Sequence, residues 1–385
     1  MDFQLTDEQK LLTRTLREFA QKELRPRAAR WDETGEYPWE NVKRLAELGV
    51  TGLAIPAEYG GQGGTGFDVV LAMEEIAWGC ANTAMMLMSG IGICAQAIAQ
   101  YGSAAQRARY LPPLAKGDAV AAIAMTEPDA GSATSRITSS AVRRGDRYLV
   151  KGRKCWITRS GVAETYVVFV RFDRVPGIEG VGAVILEKGM PGLQFGDPDP
   201  SLGFRGCAFA DLVMDEVEIG DEHVLVRDGG FKKMMAAFNG QRSLNGAISL
   251  GIAQAALEDT LRYVQERRLY GKPIADFQGI QWQLATMATQ IEAARLLVYR
   301  AAANGATGFP SLIEASMAKL FANETALTVT DLCLQLHGGY GYTRAFPLER
   351  YLRDARGMAI GGGPPQLQRS QIAAELLKRG FPLMF

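Results

Sequence analysis

Few residue types in this chain can carry chemistry. There are two histidines, His223 and His337, and five scattered cysteines, Cys80, Cys94, Cys155, Cys207 and Cys333, with no Cys-x-x-Cys pair. That supply is too thin for a histidine-rich metal centre. The cysteine spacing argues for reduced, buried thiols rather than a zinc site or a disulfide framework, so no metal is expected. What remains are short runs in which glycine, hydroxyl and amide residues stand together: Met125-Thr126-Glu127-Pro128-Asp129-Ala130-Gly131-Ser132, Cys155-Trp156-Ile157-Thr158 and Gln335-Leu336-His337-Gly338-Gly339. Gly131 allows backbone to approach a phosphate closely. Trp156 either faces a flat slot or packs in an ordinary core. A proton acceptor could come from Glu74, Glu75 or Asp129, although capping or solvated roles are the commoner use of such residues.

The elements that must position these runs fall into three textures. At 385 residues the chain is long enough for more than one domain and a large buried core. Its 42 basic and 42 acidic residues balance, which argues against nucleic acid or an anionic membrane as the main partner. The N-terminal Met1-Asp2-Phe3-Gln4-Leu5-Thr6-Asp7-Glu8 has neither the basic nor the apolar region of a signal peptide, and with the sparse cysteines it points to a cytoplasmic protein. The most apolar run, 84–99, contains Ser89, Gly90, Gly92 and Gln96 and reads as a buried helix rather than a membrane span.

Residues 1–117 read as a helical domain, with Thr6 and Gln9 forming a capping box ahead of Leu11, Leu12, Leu16 and Phe19 at helical spacing. Further helices are predicted from about Asp68 and from Ser103 to Leu114. Residues 118–226 switch to short β-type runs at 148–150, 154–158, 166–170, 182–186 and 211–214, punctuated by Pro-Gly pairs, and predict an antiparallel β domain, a barrel or a sandwich, with the β-barrel expected. Residues 227–385 return to a helical period, with long stretches at 247–267, 278–303 and 311–336 that predict a four-helix bundle. The fold class is therefore α+β.

The runs above, together with Tyr110-Leu111-Pro112-Pro113-Leu114-Ala115-Lys116-Gly117 and Gly271-Lys272-Pro273-Ile274-Ala275-Asp276-Phe277-Gln278, occur in an order that resembles the acyl-CoA dehydrogenase superfamily over nearly the whole chain. The resemblance implies FAD as cofactor. Met125, Thr126, Trp156 and Thr158 would lie along the isoalloxazine, with Gly131 and Ser132 at the pyrophosphate. Arg267, with Tyr270 and Gln278 in the surrounding match, would reach the FAD of a neighbouring subunit, and Gln335, Gly338 and Gly339 would hold its adenosine half. Residues acting across an interface imply an oligomer, a homotetramer in the family pattern. The substrate implied is an acyl thioester, on CoA or on a carrier protein.

The family reaction removes an α-proton with a glutamate, found at one of two places. One aligns with Gly362, in Ile360-Gly361-Gly362-Gly363; the other with Gln241, just before Arg242. Glycine has no side chain to offer, and an amide does not accept a proton at useful pH. Pro364 and Pro365 replace small hydroxyl residues beside that loop. With Gly131-Ser132-Ala133, these signatures are similar to the 3-sulfinopropionyl-CoA desulfinase branch, which releases sulfite by C–S cleavage. That branch supplies an arginine for the sulfinate from the early helical domain, whereas residues 81–92, Met85 among them, hold no basic residue; Arg136 and Arg242 are the nearest by motif position. Three readings remain: an atypical dehydrogenase with its base elsewhere, a desulfinase-like lyase, and an FAD-holding scaffold without turnover.

Overall fold

A computed structural model describes residues 4–305 and 308–379 of the chain. The N-terminal part is helical: α1 (Asp7–Phe19), α2 (Ala28–Thr34), α3 (Trp39–Glu47), α4 (Gly66–Gly79), α5 (Ala81–Leu87), α6 (Ala95–Tyr101) and α7 (Ala104–Ala115). The predicted capping box is present, with Thr6 Oγ1 accepting from the Gln9 amide at 3.2 Å and Gln9 Oε1 accepting from the Thr6 amide at 3.1 Å. Between α5 and α6 the segment Met88–Cys94 widens into a π-helical turn, and every residue of it is buried. The 81–101 stretch is, among the described residues, the one helix apolar and long enough to cross a membrane, and 89% of it is buried inside the protein.

The middle part is a sheet of β1 (Ala121–Ala124), β2 (Ser140–Arg144), β3 (Arg147–Thr158), β4 (Thr165–Phe172), β5 (Val181–Glu187), β6 (Leu193–Phe195), β7 (Phe209–Ile219) and β8 (Val224–Val226). The strands run in the order β6-β7-β3-β2-β4-β5-β8, with β1 beside β4. The sheet is mixed rather than antiparallel throughout, because β1 and β2 both pair with β4 in parallel. Hairpins impose antiparallel pairing only on the strands they join; β1 and β2 reach β4 by longer routes. The runs read as two strands at 148–150 and 154–158 are one strand, β3, whose register against β7 shifts between Lys154 and Ile157.

The C-terminal part holds α8 (Gly230–Glu266), α9 (Gln278–Asn304), α10 (Leu312–His337), the short α11 (Gly339–Tyr342), α12 (Leu348–Ile360) and α13 (Pro365–Arg379). α10 is packed by α8, α9, α12 and α13. α8 starts well before the periodic stretch seen in the sequence and runs against α4. Gly251 makes that approach possible: a Cβ there would stand 2.4 Å from the Glu74 carbonyl oxygen and 2.7 Å from Ala77 Cβ.

Candidate active site

The two positions where a catalytic glutamate was expected meet in space. Gln241 lies on α8, and Gly362 lies in the Gly361–Gly363 turn between α12 and α13. A Cβ on Gly362 would point at the Gln241 amide, 3.0 Å from Oε1 and 3.3 Å from Nε2, with Lys319 Cε at 3.4 Å. The turn uses backbone that glycine adopts freely, with φ of +73° at Gly362 and +100° at Gly363.

Donors from three helices clasp the carbonyls of this turn. Asn245 Nδ2 donates to the Met358 oxygen at 3.2 Å and the Gly361 oxygen at 3.4 Å. Gln368 Nε2 donates to the Gly363 oxygen at 3.1 Å. Lys319 Nζ donates to Gly363 O at 3.0 Å, Met358 O at 3.3 Å and Asn323 Oδ1 at 2.8 Å. Burial, reinforced by the Arg242 cation, pulls the Lys319 ammonium down to about 7. Arg242 is itself buried, donates from Nη1 to Asn239 Oδ1 at 2.9 Å, and is drawn down to about 10 by desolvation. Gln241 Nε2 donates to Met88 Sδ at 3.5 Å, while its Oε1 is buried without a donor. Among the described residues no carboxylate pairs with Gln241, Arg242, Lys319 or the turn.

The other candidate carboxylates, Glu74, Glu75 and Asp129, are engaged elsewhere or exposed. Glu74 accepts from Arg295 Nε at 2.9 Å and from the Tyr299 hydroxyl at 2.9 Å. Glu75 pairs with Arg17. Asp129 is exposed in its loop.

A second group gathers at one end of the sheet. The register shift in β3 is a bulge, and it turns Trp156 outward: its φ is +54° and the side chain is 60% exposed, so it is not core. Next to it the Cys155 amide donates to Thr126 O at 3.0 Å, and Lys154 Nζ donates to Met125 O at 3.2 Å and to the buried Glu127 carboxylate at 2.7 Å. Burial alone would raise the Glu127 carboxyl, but Lys154 and the donors of Ser139 and Thr138 bring it down to about 2. Thr158 pairs with Phe209 at the strand end. Gly131 and Ser132 follow in an exposed loop, and a Cβ on Gly131 would meet nothing within 4 Å.

A third group stands apart. Arg267, Gln335, Gly338 and Gly339 line one open groove of about 700 Å³, floored by Tyr263 and His337, whose rings stack at 4.1 Å. Tyr270 and Gln278 are exposed nearby in sequence and are not part of the groove lining. The Arg267 side chain makes no ion pair among the described residues. Among the described residues no hydrogen bond joins this group to the Trp156 group.

Lys319 and Arg159 were not singled out in the sequence. Lys319 could have been: it falls at helical spacing among Ala315, Ala318 and Ala322, a cation on an apolar face. Arg159 offered no such signal, because Thr158-Arg159-Ser160-Gly161 reads as a solvated turn.

The sequence matches three family descriptions: "Acyl-CoA dehydrogenase, N-terminal domain" over 6–118, "middle domain" over 122–217 and "C-terminal domain" over 228–377. It is 39% identical to "Acyl-CoA dehydrogenase, short-chain specific" of Clostridium acetobutylicum, over 98% of this chain and 100% of that protein. It is 41% identical to "3-sulfinopropanoyl-CoA desulfinase" of Paraburkholderia xenovorans, over 97% of each. The structure of butyryl-CoA dehydrogenase from Megasphaera elsdenii superimposes with a TM-score of 0.95 at 37% identity, covering 98% of this chain and 100% of that one.

Proposed function

This chain belongs to the acyl-CoA dehydrogenase family, and from that premise we propose that it holds FAD and acts on an acyl thioester without a carboxylate base. The observation that carries the reading is the meeting of the Gln241 amide with the Gly362 position at 3.0–3.3 Å, inside a cluster of amides, backbone carbonyls and cations. An amide orients and hydrogen-bonds a substrate, but it does not take an α-proton from carbon.

The residues suit the cofactor. Trp156 offers an exposed flat face beside Thr126 and Thr158, Gly131 leaves its backbone open beside Ser132, and Arg267 is a cation with no ion pair among the described residues. FAD, when bound, supplies two-electron redox capacity. Because the Arg267 groove is not joined to the Trp156 group within one chain, Arg267, Gln335, Gly338 and Gly339 fit a neighbouring subunit's cofactor, which supports a homotetramer. The thioester rides on CoA or on a carrier protein.

A second reading, desulfinase-like C–S cleavage, is favoured by the same vacancy of carboxylates. Loss of SO2 from a 3-sulfinoacyl thioester leaves the bonding pair on carbon, a proton takes its place there, and hydration of SO2 yields sulfite. No α-proton has to be removed. Anaerobic mixing of the FAD-loaded protein with butyryl-CoA and with 3-sulfinopropanoyl-CoA separates the readings, with flavin absorbance and sulfite followed in parallel. Slow bleaching by butyryl-CoA is expected for an atypical dehydrogenase, and sulfite without net bleaching for the lyase. Rapid bleaching by butyryl-CoA contradicts the missing base, and neither signal leaves a scaffold without turnover.

A further inference from the structure

Arg159 is a buried cation that its own protein does not satisfy. The residue is 1% exposed, its Nε and Nη2 are buried, and neither meets a hydrogen-bond acceptor. No carboxylate pairs with it among the described residues. A buried guanidinium without a compensating anion is costly. Of the other buried cations, Lys154 has Glu127 and Lys319 has three oxygen acceptors, while Arg242, whose Nε likewise meets no acceptor, keeps one bond from Nη1 to Asn239 Oδ1.

The surroundings of Arg159 offer donors and apolar atoms rather than anions. Burial raises the Tyr37 phenol, and the charge and loose hydrogen bond of the nearby Arg159 guanidinium work against it; neither the Tyr37 hydroxyl nor the guanidinium Nε and Nη2 closes a hydrogen bond of full geometry. Burial pushes the nearby Cys94 thiol up to about 12, and that of Cys207 well above its ordinary value, so neither supplies a thiolate. Glu164 is exposed and accepts from the Val120 amide at 2.8 Å.

The position of this cation connects it to the site. Arg159 directly follows Thr158, and its amide is fixed to Cys207 O at 3.2 Å and Ala208 O at 3.0 Å. Its Nη1 lies 3.3 Å and its Nη2 3.6 Å from where a Cβ on Gly90 would stand. Gly90 belongs to the turn Met88–Cys94, and Met88 of that turn accepts from Gln241 Nε2. One buried turn therefore touches the amide at the vacant base position and, two residues on, the unpaired guanidinium.

We infer that Arg159 receives an anionic group, a carboxylate or a sulfinate, at the far end of the acyl chain, and so selects thioesters of ω-anionic acids over neutral ones. The assignment rests on the thioester reading above. A planar guanidinium with two idle donors and a neighbouring hydroxyl matches a two-oxygen anion. The test is calorimetric titration of the FAD-loaded protein with butyryl-CoA, succinyl-CoA and 3-sulfinopropanoyl-CoA. The two anionic thioesters are expected to bind about tenfold or more tighter than butyryl-CoA, and a preference between them identifies the anion. Arg159→Met should erase the difference while leaving butyryl-CoA affinity within about twofold, and Arg159→Lys should keep part of it. Equal or tighter binding of butyryl-CoA by the wild type overturns the assignment, and needs no variant to fold. So does an equal loss for all three ligands in Arg159→Met, the mark of a structural role. If none of the three binds, the thioester reading fails as well.

Discussion

At the scale of single residues, the site is defined by what faces Gln241. Its Oε1 has no donor, and the Gly362 position opposite carries no side chain. Gln241→Glu places a carboxylate at the same point without backbone change, beside Lys319 and Arg242 to hold its charge. A positioned general base contributes about 10²–10⁴ in rate, so this variant should bleach with butyryl-CoA at least about tenfold faster than wild type in stopped flow. Gly362→Glu should not, because its φ of +73° and the Gln241 amide 3.0 Å from its Cβ both oppose a side chain there. A gain from Gly362→Glu and none from Gln241→Glu would refute this ordering.

Lys319 makes a second prediction at this scale. Its pKa falls to about 7 in the folded protein, from an ordinary value of 10.5. Between those values the unfolded chain carries a proton that the folded chain has released. This group therefore makes stability rise with pH across about 7 to 10.5, and its penalty is fully present below 7. Lys319→Met removes that slope while leaving Gly363 O and Asn323 Oδ1 short of a donor. Denaturation midpoints from pH 7 to 9.5 should rise less for the variant than for wild type; parallel curves would contradict the shift.

At the scale of elements, the placement of Gln241 depends on how α8 lies against its neighbours. Gly251, on the same helix, meets the backbone of α4 so closely that any side chain must displace it. Gly251→Ala gains helix propensity but overpacks the contact, at a cost of about 1–3 kcal/mol. A lower melting temperature is expected; an unchanged or higher one would mean that α4 yields freely. The bulge in β3 is the sheet counterpart. By inserting one residue between Lys154 and Ile157 it lets Lys154 face inward to Glu127 and Trp156 face outward, so one strand serves both the core and an exposed face.

At the scale of the whole molecule, the exposed side chains bear on assembly. Tyr270 is 89% and Trp282 64% exposed, on the segment that also carries Arg267. Exposed aromatics on the same segment as an arginine with no ion pair among the described residues match the usual composition of a subunit contact. If Arg267 serves a neighbour's cofactor, Arg267→Ala loses a charge-assisted contact of about 1.5–3 kcal/mol and should weaken FAD retention about tenfold or more. Ultrafiltration followed by flavin absorbance measures this, with sedimentation reporting the assembly state. A monomer that keeps FAD as tightly as wild type would contradict the shared site.

The order helical, β, helical was legible in the sequence because hydrophobic period and turn chemistry are local properties. So were the capping box at Thr6, the buried 84–99 run, the scattered free thiols and the lack of a carboxylate at 241 and 362, since each depends only on which residue stands where. Parallel pairing of β1 and β2 with β4 was not legible, because register between distant strands is set by contacts that no window of sequence contains. Nor was the exposure of Trp156, which alternation alone would have left between core and surface and which a one-residue bulge decided. The meeting of Gln241 with Gly362 and of Arg159 with Gly90 joins residues about 120 and about 70 positions apart. Residue types determined what those groups can do. Only the packing of α8, the turn Met88–Cys94 and the end of β3 decided which of them stand together, because desolvation and unpaired charge arise where elements close on one another.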